Sequence, residues 1–131
     1  MAPTRILLAD DNDEVLREIR EELGEEFEII GTVSNGQDAV DAVVGCDPDV
    51  LVLDITMPVL NGLQVAATVR EKHPRTKILF LTIHEQPEYI SAAFSAGASG
   101  YVTKRLLYSE LAHAIREVAQ GNTFISSTLQ R

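Results

Sequence analysis

The chain has 131 residues, 45% of them hydrophobic, enough to bury one core and too few for two ordinary domains. Its formal net charge of -9 makes the surface repel nucleic-acid phosphates, which argues against direct DNA binding by these residues and puts any DNA-touching partner elsewhere. Cys46 is the only cysteine, so an internal disulfide is excluded; a reducing cytoplasm is the simplest setting, and a small buried hydrophobe is the expected role of this thiol. The apolar or small run Ile6 to Ala9 is too short for a secretory segment, and no run approaches membrane-spanning length, so the expectation is a soluble, cytoplasmic protein.

In chain order, Arg5–Ala9 is the first strand candidate. A helical stripe of Val15, Leu16, Ile19 and Leu23 follows from about Asp13, with Gly24 as its stop. Glu28–Val33 reads as a second strand, and a helix from about Gly36 to Val44 closes near Gly45. Val50–Leu53 is a third strand, and a helix from about Leu63 to Lys72 ends before the His73-Pro74 break. Lys77–Thr82 is a fourth strand; Pro87, a favoured first helical residue, opens a helix that stops near Gly97. Gly100–Thr103 is a fifth strand. The last helix is expected to start at Ser109, whose hydroxyl can cap free amides, to carry Leu111, Ala114, Ile115 and Val118 inward, and to end at Gly121. Residues 122–131 show no stripe and read as the start of a linker, so the domain is expected to occupy residues 1–121.

Strict alternation of strand and helix implies right-handed crossovers and a parallel sheet covered on both faces. The continuously apolar runs Val50–Leu53 and Ile78 to Leu81 fit strands buried on both sides. The expected fold is therefore α/β: a flavodoxin-like, doubly wound five-stranded parallel sheet of order 2-1-3-4-5 with five helices.

In such a sheet, ligands sit beyond the carboxyl ends of the strands. The residues that fall there are Asp10, Asp11, Asp54, Thr82 and Lys104. Crowded carboxylates raise one another's pKa unless a cation joins them. A hard ion such as Mg²⁺ takes oxygen ligands and is commonly held by one or two carboxylates together with phosphate oxygens. Lys104 offers a compact charge suited to phosphate, and Thr82 a hydroxyl donor. With the charge partly neutralised, the Asp54 carboxylate can attack an activated phosphorus and form an aspartyl phosphate.

Leu8-Ala9-Asp10-Asp11, Leu51 to Pro58 followed by Asn61-Gly62, Leu81-Thr82 and Tyr101-Val102-Thr103-Lys104 together resemble the receiver domains of two-component response regulators, whose fold is CheY-like. Five pieces in order at the right strand ends make the resemblance specific, and it covers nearly the whole chain. It implies that Asp10 and Asp11 position Mg²⁺, that the backbone carbonyl of Thr56 completes the metal site with Asp54, and that Asp54 is the phosphoacceptor. It implies that Thr82 and Tyr101 are a coupled switch pair, that a sensor histidine kinase is the phosphoryl donor, and that a homodimer can form on phosphorylation. Leu81 to Glu85, Gly97 to Lys104 and Gly121 to Ser126 are similar to the NarL/FixJ-type subgroup, which implies an effector with a LuxR-type DNA-binding helix-turn-helix, linked or separate, and regulation of transcription by the parent protein. On this reading the domain is a signalling switch rather than an enzyme.

Two residues depart from the wider family. Arg105 follows Lys104 where many receivers have proline; a cis bond before a non-proline costs roughly 2.5 to 4 kcal/mol, so the isomer of that bond does not follow from the resemblance. Ile83 follows Thr82 where many have alanine or glycine, and is expected to restrict approach of water or bulky donors, with Thr56 and His84 also bearing on access. When phosphorylation adds roughly -1.5 to -2 charge at the rim, Thr82 is expected to move toward it and Tyr101 to move inward, reshaping the surface of the fourth helix, fifth strand and fifth helix.

Plainer accounts exist for each residue. Asp10, Asp11 and Asp13 suit helix caps and first turns, Thr82 suits a strand, Lys104 a solvated strand end and Tyr101 a core aromatic, while His73, His84 and His113 lack mutual metal-ligand spacing. A haloacid dehalogenase-like phosphatase is the main alternative function, but it needs a second Asp two places after the nucleophile, where Thr56 stands. A flavodoxin-like FMN binder would need a hydroxyl-rich loop after the first strand, where Asp10-Asp11-Asn12-Asp13 stands instead.

Overall fold

Side chains of successive strand residues point to opposite faces, and here both faces are buried. The computed structural model describes residues 2–130. Its elements are β1 (Arg5–Ala9), α1 (Asp13–Leu23), β2 (Glu28–Val33), α2 (Gly36–Cys46), β3 (Val50–Leu53), α3 (Gly62–Lys72), β4 (Lys77–Thr82), α4 (Pro87–Ser95), β5 (Gly100–Thr103), α5 (Leu107–Ala119) and β6 (Phe124–Ile125). Short 3₁₀ turns span Lys104–Leu106 and Ser127–Leu129. The strands form one sheet of order β2-β1-β3-β4-β5-β6, and every pairing is parallel.

One face of the sheet offers Ile6, Leu8, Val52, Leu79, Leu81 and Val102 to Leu16 and Ile19 of α1 and Leu111 and Ile115 of α5. The other offers Leu7, Leu51, Leu53, Phe80 and Tyr101 to Val40 and Val43 of α2, Val65 and Val69 of α3 and Ala93 of α4. The first three helices each start on an asparagine cap. Asn12 Oδ1 accepts from the Glu14 and Val15 amides, Asn35 Oδ1 from the Asp38 amide, and Asn61 Oδ1 from the Gln64 amide, while Gln64 Oε1 in turn accepts from the Asn61 amide.

Five expectations are corrected. The sheet has six strands, not five: Phe124 pairs with Gly100 and Ile125 with Tyr101. The segment expected to begin a linker is thus folded back over Phe124 to Leu129, and a two-residue strand has no period by which a sequence could announce it. Arg131, the last residue of that expected linker, and Met1 lie outside the described residues. Helix α5 begins at Leu107, because the Lys104–Leu106 turn feeds it directly; the Ser109 hydroxyl donates to the Leu106 carbonyl and caps no amide. Helix α2 continues through Gly45 to Cys46. Cys46 is exposed, not buried, as the last residue of that helix, beyond its last buried residue Val43. Among the described residues no peptide bond is cis, and no helix is long and apolar enough to cross a membrane.

Candidate functional site

The sheet's own hydrogen bonding sets the site. The Asp54 amide donates to the Ala9 carbonyl at 3.1 Å and the Asp10 amide to the Val33 carbonyl at 3.1 Å, so each acid sits one rung past its strand and is fixed by the ladder. Helix α3 closes on the same point through Gly62, whose amide donates to the Ile55 carbonyl at 2.6 Å. A Cβ on Gly62 would stand 2.1 Å from the Asp54 carbonyl oxygen, and one on Gly36 would stand 2.1 Å from the Leu60 carbonyl oxygen. Glycine alone permits this approach of backbone to backbone.

Carboxylate oxygens of Asp10, Asp11 and Asp54 all lie within 4.8 Å of one another. Asp10 and Asp54 are buried while Asp11 is exposed. The Lys104 ammonium stands 2.9 Å from Asp10 Oδ2 and 2.9 Å from Asp54 Oδ2. Asp54 Oδ1 accepts from the Ile55 amide at 2.7 Å, and Asp10 Oδ1 from the Asn12 amide at 2.9 Å. With Asn12 as the cap of α1, capping does not account for Asp10 or Asp11.

The electrostatics are those of a site short of positive charge. Burial pushes the Asp10 carboxyl above its ordinary range, against the opposing bond from Lys104. Burial also works against the Lys104 ammonium, yet its bonds to Asp10 and Asp54 outweigh it and raise its pKa. Of the three clustered carboxylates, two share the one ammonium and Asp11 is left beside them, and a hard cation with oxygen ligands fits the remaining deficit.

Thr82 and Tyr101 are both fully buried. The Tyr101 ring already stands inward in this structure, and its hydroxyl donates to the His84 carbonyl at 2.7 Å; burial, then the nearby Asp54 charge, raises its pKa. The His84 amide reaches the Thr82 hydroxyl at 3.5 Å. The His84 ring stacks on Tyr89 at 4.2 Å and its Nε2 lies 2.9 Å from Thr56 Oγ1. Ile83, the residue after buried Thr82, is 71% exposed and so lies outside the core. His73 and His113 are remote in role: His73 pairs with Asp47 and His113 packs edge-on against Phe124.

Sequence reasoning missed Glu85 and the partner of Arg105. Glu85 accepts from the Thr103 hydroxyl at 2.6 Å and from Arg105 Nε and Nη2 at 2.7 and 3.0 Å. The only signal was Arg105 itself, standing where many receivers have proline.

The fold and the acidic pocket define a class: doubly wound α/β domains with a metal-competent carboxylate cluster at the carboxyl edge of a parallel sheet. Residues 6–116 match the response regulator receiver domain family, and the chain belongs to it. It is 36% identical over 100 residues to the transcriptional regulatory protein DegU of Brevibacillus brevis, covering 76% of this chain and 42% of that protein. It is 35% identical over 128 residues to the oxygen regulatory protein NreC of Staphylococcus epidermidis, covering 95% of this chain and 59% of that one. The chain thus spans roughly half the length of these relatives. Among solved structures, a LuxR-family two-component response regulator from Aurantimonas sp. SI85-9A1 superposes with a TM-score of 0.93 at 28% identity, covering 98% of this chain and 93% of that one. The chain is the receiver domain of a response regulator, a signalling domain and not an enzyme of the ordinary kind.

Proposed function

We propose that this receiver works as a phosphorylation switch in which Asp54 accepts a phosphoryl group from the phosphohistidine of a sensor kinase. A carboxylate oxygen of Asp54 forms the new O–P bond as the donor's N–P bond breaks, the histidine nitrogen leaving with the electron pair. The observation that carries this reading is the Lys104 ammonium, 2.9 Å from both Asp54 and Asp10 in a three-carboxylate cluster. Asp10, Asp11, Asp54 and the Thr56 carbonyl would hold Mg²⁺, which supplies neutralisation of the charge on the transferring group. Lys104 holds Asp54 in place before transfer and gains a phosphoryl oxygen as a partner afterwards. The Ile55 amide fixes one Asp54 oxygen, which limits rotation of the carboxylate.

Thr82 then offers its hydroxyl to the new oxygens, and Tyr101 follows or stabilises the change from its inward position. The α4, β5 and α5 surface reports it to an effector of the LuxR helix-turn-helix type, covalently linked or separate, in the cytoplasm, and a homodimer can form on phosphorylation; this acidic domain itself leaves DNA untouched. Thr56, Ile83 and His84 ring the approach and set how readily water reaches the acyl phosphate.

Intact-mass measurement after treatment with acetyl phosphate and Mg²⁺ is expected to find one added phosphoryl group, absent in Asp54→Ala. Undiminished incorporation in that variant would sink the assignment. His84→Ala is expected to change the dephosphorylation rate more than about twofold, or ~0.4 kcal/mol; a smaller change removes His84 from the access ring.

A further inference from the structure

Two consecutive residues after β4 hold opposite partners. His84 faces the acidic site, with its ring nitrogen 2.9 Å from Thr56 Oγ1. Glu85 faces the other way and is gripped by the Thr103 hydroxyl and by both arms of Arg105. Arg105 Nη2 also reaches the Thr128 hydroxyl at 3.3 Å, in the turn that follows β6. The tail is fixed at further points: the Ser126 amide donates to the Tyr101 carbonyl at 2.9 Å, buried Ser126 Oγ accepts from the Thr103 amide at 3.0 Å, and the Ser127 amide and hydroxyl bond Glu110. A continuous set of bonds therefore runs from the rim of the acidic site through Glu85 and Arg105 to the C-terminal turn.

We propose that Glu85 and Arg105 form a latch through which phosphorylation of Asp54 loosens the C-terminal turn from the edge of the sheet. The inference rests on the Asp54 reading and adds a route by which the charge event reaches the end of the domain. The Thr82-to-Glu85 segment lies between the two sets of partners. New phosphoryl oxygens recruit the Thr82 hydroxyl and draw this segment toward the site. Drawing it that way lengthens the Glu85 contacts, because Thr103 and Arg105 hold that carboxylate from the opposite side. An Arg105 released from Glu85 loses the bidentate geometry that holds its guanidinium beside Thr128. The Ser126 and Glu110 contacts do not involve the segment, so Phe124 and Ile125 stay paired with β5 while the turn beyond them opens.

The test is amide hydrogen exchange, read residue by residue by NMR on the 131-residue chain, with and without acetyl phosphate in excess and Mg²⁺, and with mass measurement of phosphoryl occupancy on the same samples. Phosphorylation is expected to speed exchange at Leu129, whose amide bonds the Ser126 carbonyl within the turn, by about fivefold, the order set by one surface ion pair of good geometry, and to leave Phe124 and the Glu110-held Ser127 amide within twofold. Arg105→Ala is expected to show the faster exchange already at rest and no further rise, while taking up phosphoryl as the unaltered chain does. Thr128→Val, which cuts only the last bond, is expected to blunt the response at Leu129. Unchanged exchange at full occupancy overturns the latch and spares the Asp54 reading, as does a full response retained in both variants. Failure to incorporate phosphoryl, seen in the mass, overturns both.

Discussion

The two edges of this sheet carry similar residues to different ends. At the amino edge, Asp47 meets His73 at 2.6 Å and Arg75 at 3.5 Å, while Asp49 accepts from the Arg5 amide at 2.8 Å. Both of these acids are exposed and matched by cations or an amide. At the carboxyl edge, Asp10 and Asp54 are buried and share Lys104, while exposed Asp11 stands beside them without that partner. Close approach to backbone follows the same division: Gly36 and Gly62 are wedged against main-chain atoms at the carboxyl edge, whereas at the amino edge Gly100 meets the side chains of Leu79 and Val118 and Gly45 has nothing within 4 Å of where a Cβ would stand. Charge as such does not mark the working edge. Buried charge in excess of its partner and close backbone packing do, and both are features that cost stability and persist where function retains them.

The sharpest way to break this contrast is Gly62→Ala. The added methyl would press on the Asp54 carbonyl and the Ile55 Cα, neither of which is a flexible side-chain end. A loss of about 3 kcal/mol in urea unfolding is expected, the upper part of the overpacking range, together with loss of phosphoryl uptake. A loss below about 1 kcal/mol would mean that the edge yields more easily than its geometry implies. Metal comes next. If the deficit of positive charge is what Mg²⁺ fills, adding it at ten times its Kd should stabilise the fold by about 1.4 kcal/mol, read as a rise in Tm. Asp11→Asn should remove that rise, and Asp47→Asn at the opposite edge should leave it intact.

The contrast also explains what a sequence can disclose. All five long strands fall on the ranges read from the sequence; for β1, β3, β4 and β5 the reason is burial on both faces, which writes continuous hydrophobicity into the chain, whereas the half-buried edge strand β2 was marked by its β-branched residues. The acids at the ends of β1 and β3 were legible for the same reason: an apolar run that stops on Asp is conspicuous. The tail was not legible, since Phe124–Ile125 is held by ladder bonds and by Ser126, and backbone bonding leaves no pattern in side chains. Nor was the Glu85–Arg105 pair, whose members are 20 residues apart and meet only because β4 and β5 are neighbours. The start of α5 was misplaced because a serine two residues into the helix looks like a cap when the preceding 3₁₀ turn is unseen.

The smaller effects refine the comparison. Gly45→Ala is expected to stabilise the chain by about 0.5 to 1 kcal/mol through helix propensity, the reverse in sign of Gly62→Ala; a loss at Gly45 would show that the amino edge is as tightly built as the other. The weakest effect concerns one acid at each edge. The bidentate bond from Arg105, then the Thr103 hydroxyl, holds Glu85 down to about 2 from its usual 4.5, and the bond from His73 lowers Asp47. A carboxyl with a depressed folded pKa binds protons less readily folded than unfolded. Its contribution is therefore present above about 4.5 for Glu85 and is lost as pH falls from there toward 2. Carboxyl-detected NMR titration should place the Glu85 midpoint near 2 and, in Arg105→Ala, move it up toward 4.5 with Asp47 unaffected. Both groups lie at the surface, so high salt should shrink the shift. A Glu85 midpoint in the ordinary range in the unaltered chain would mean that Arg105 is not on that carboxylate in solution, and the two edges would then differ only in their buried acids and in the glycines packed against backbone.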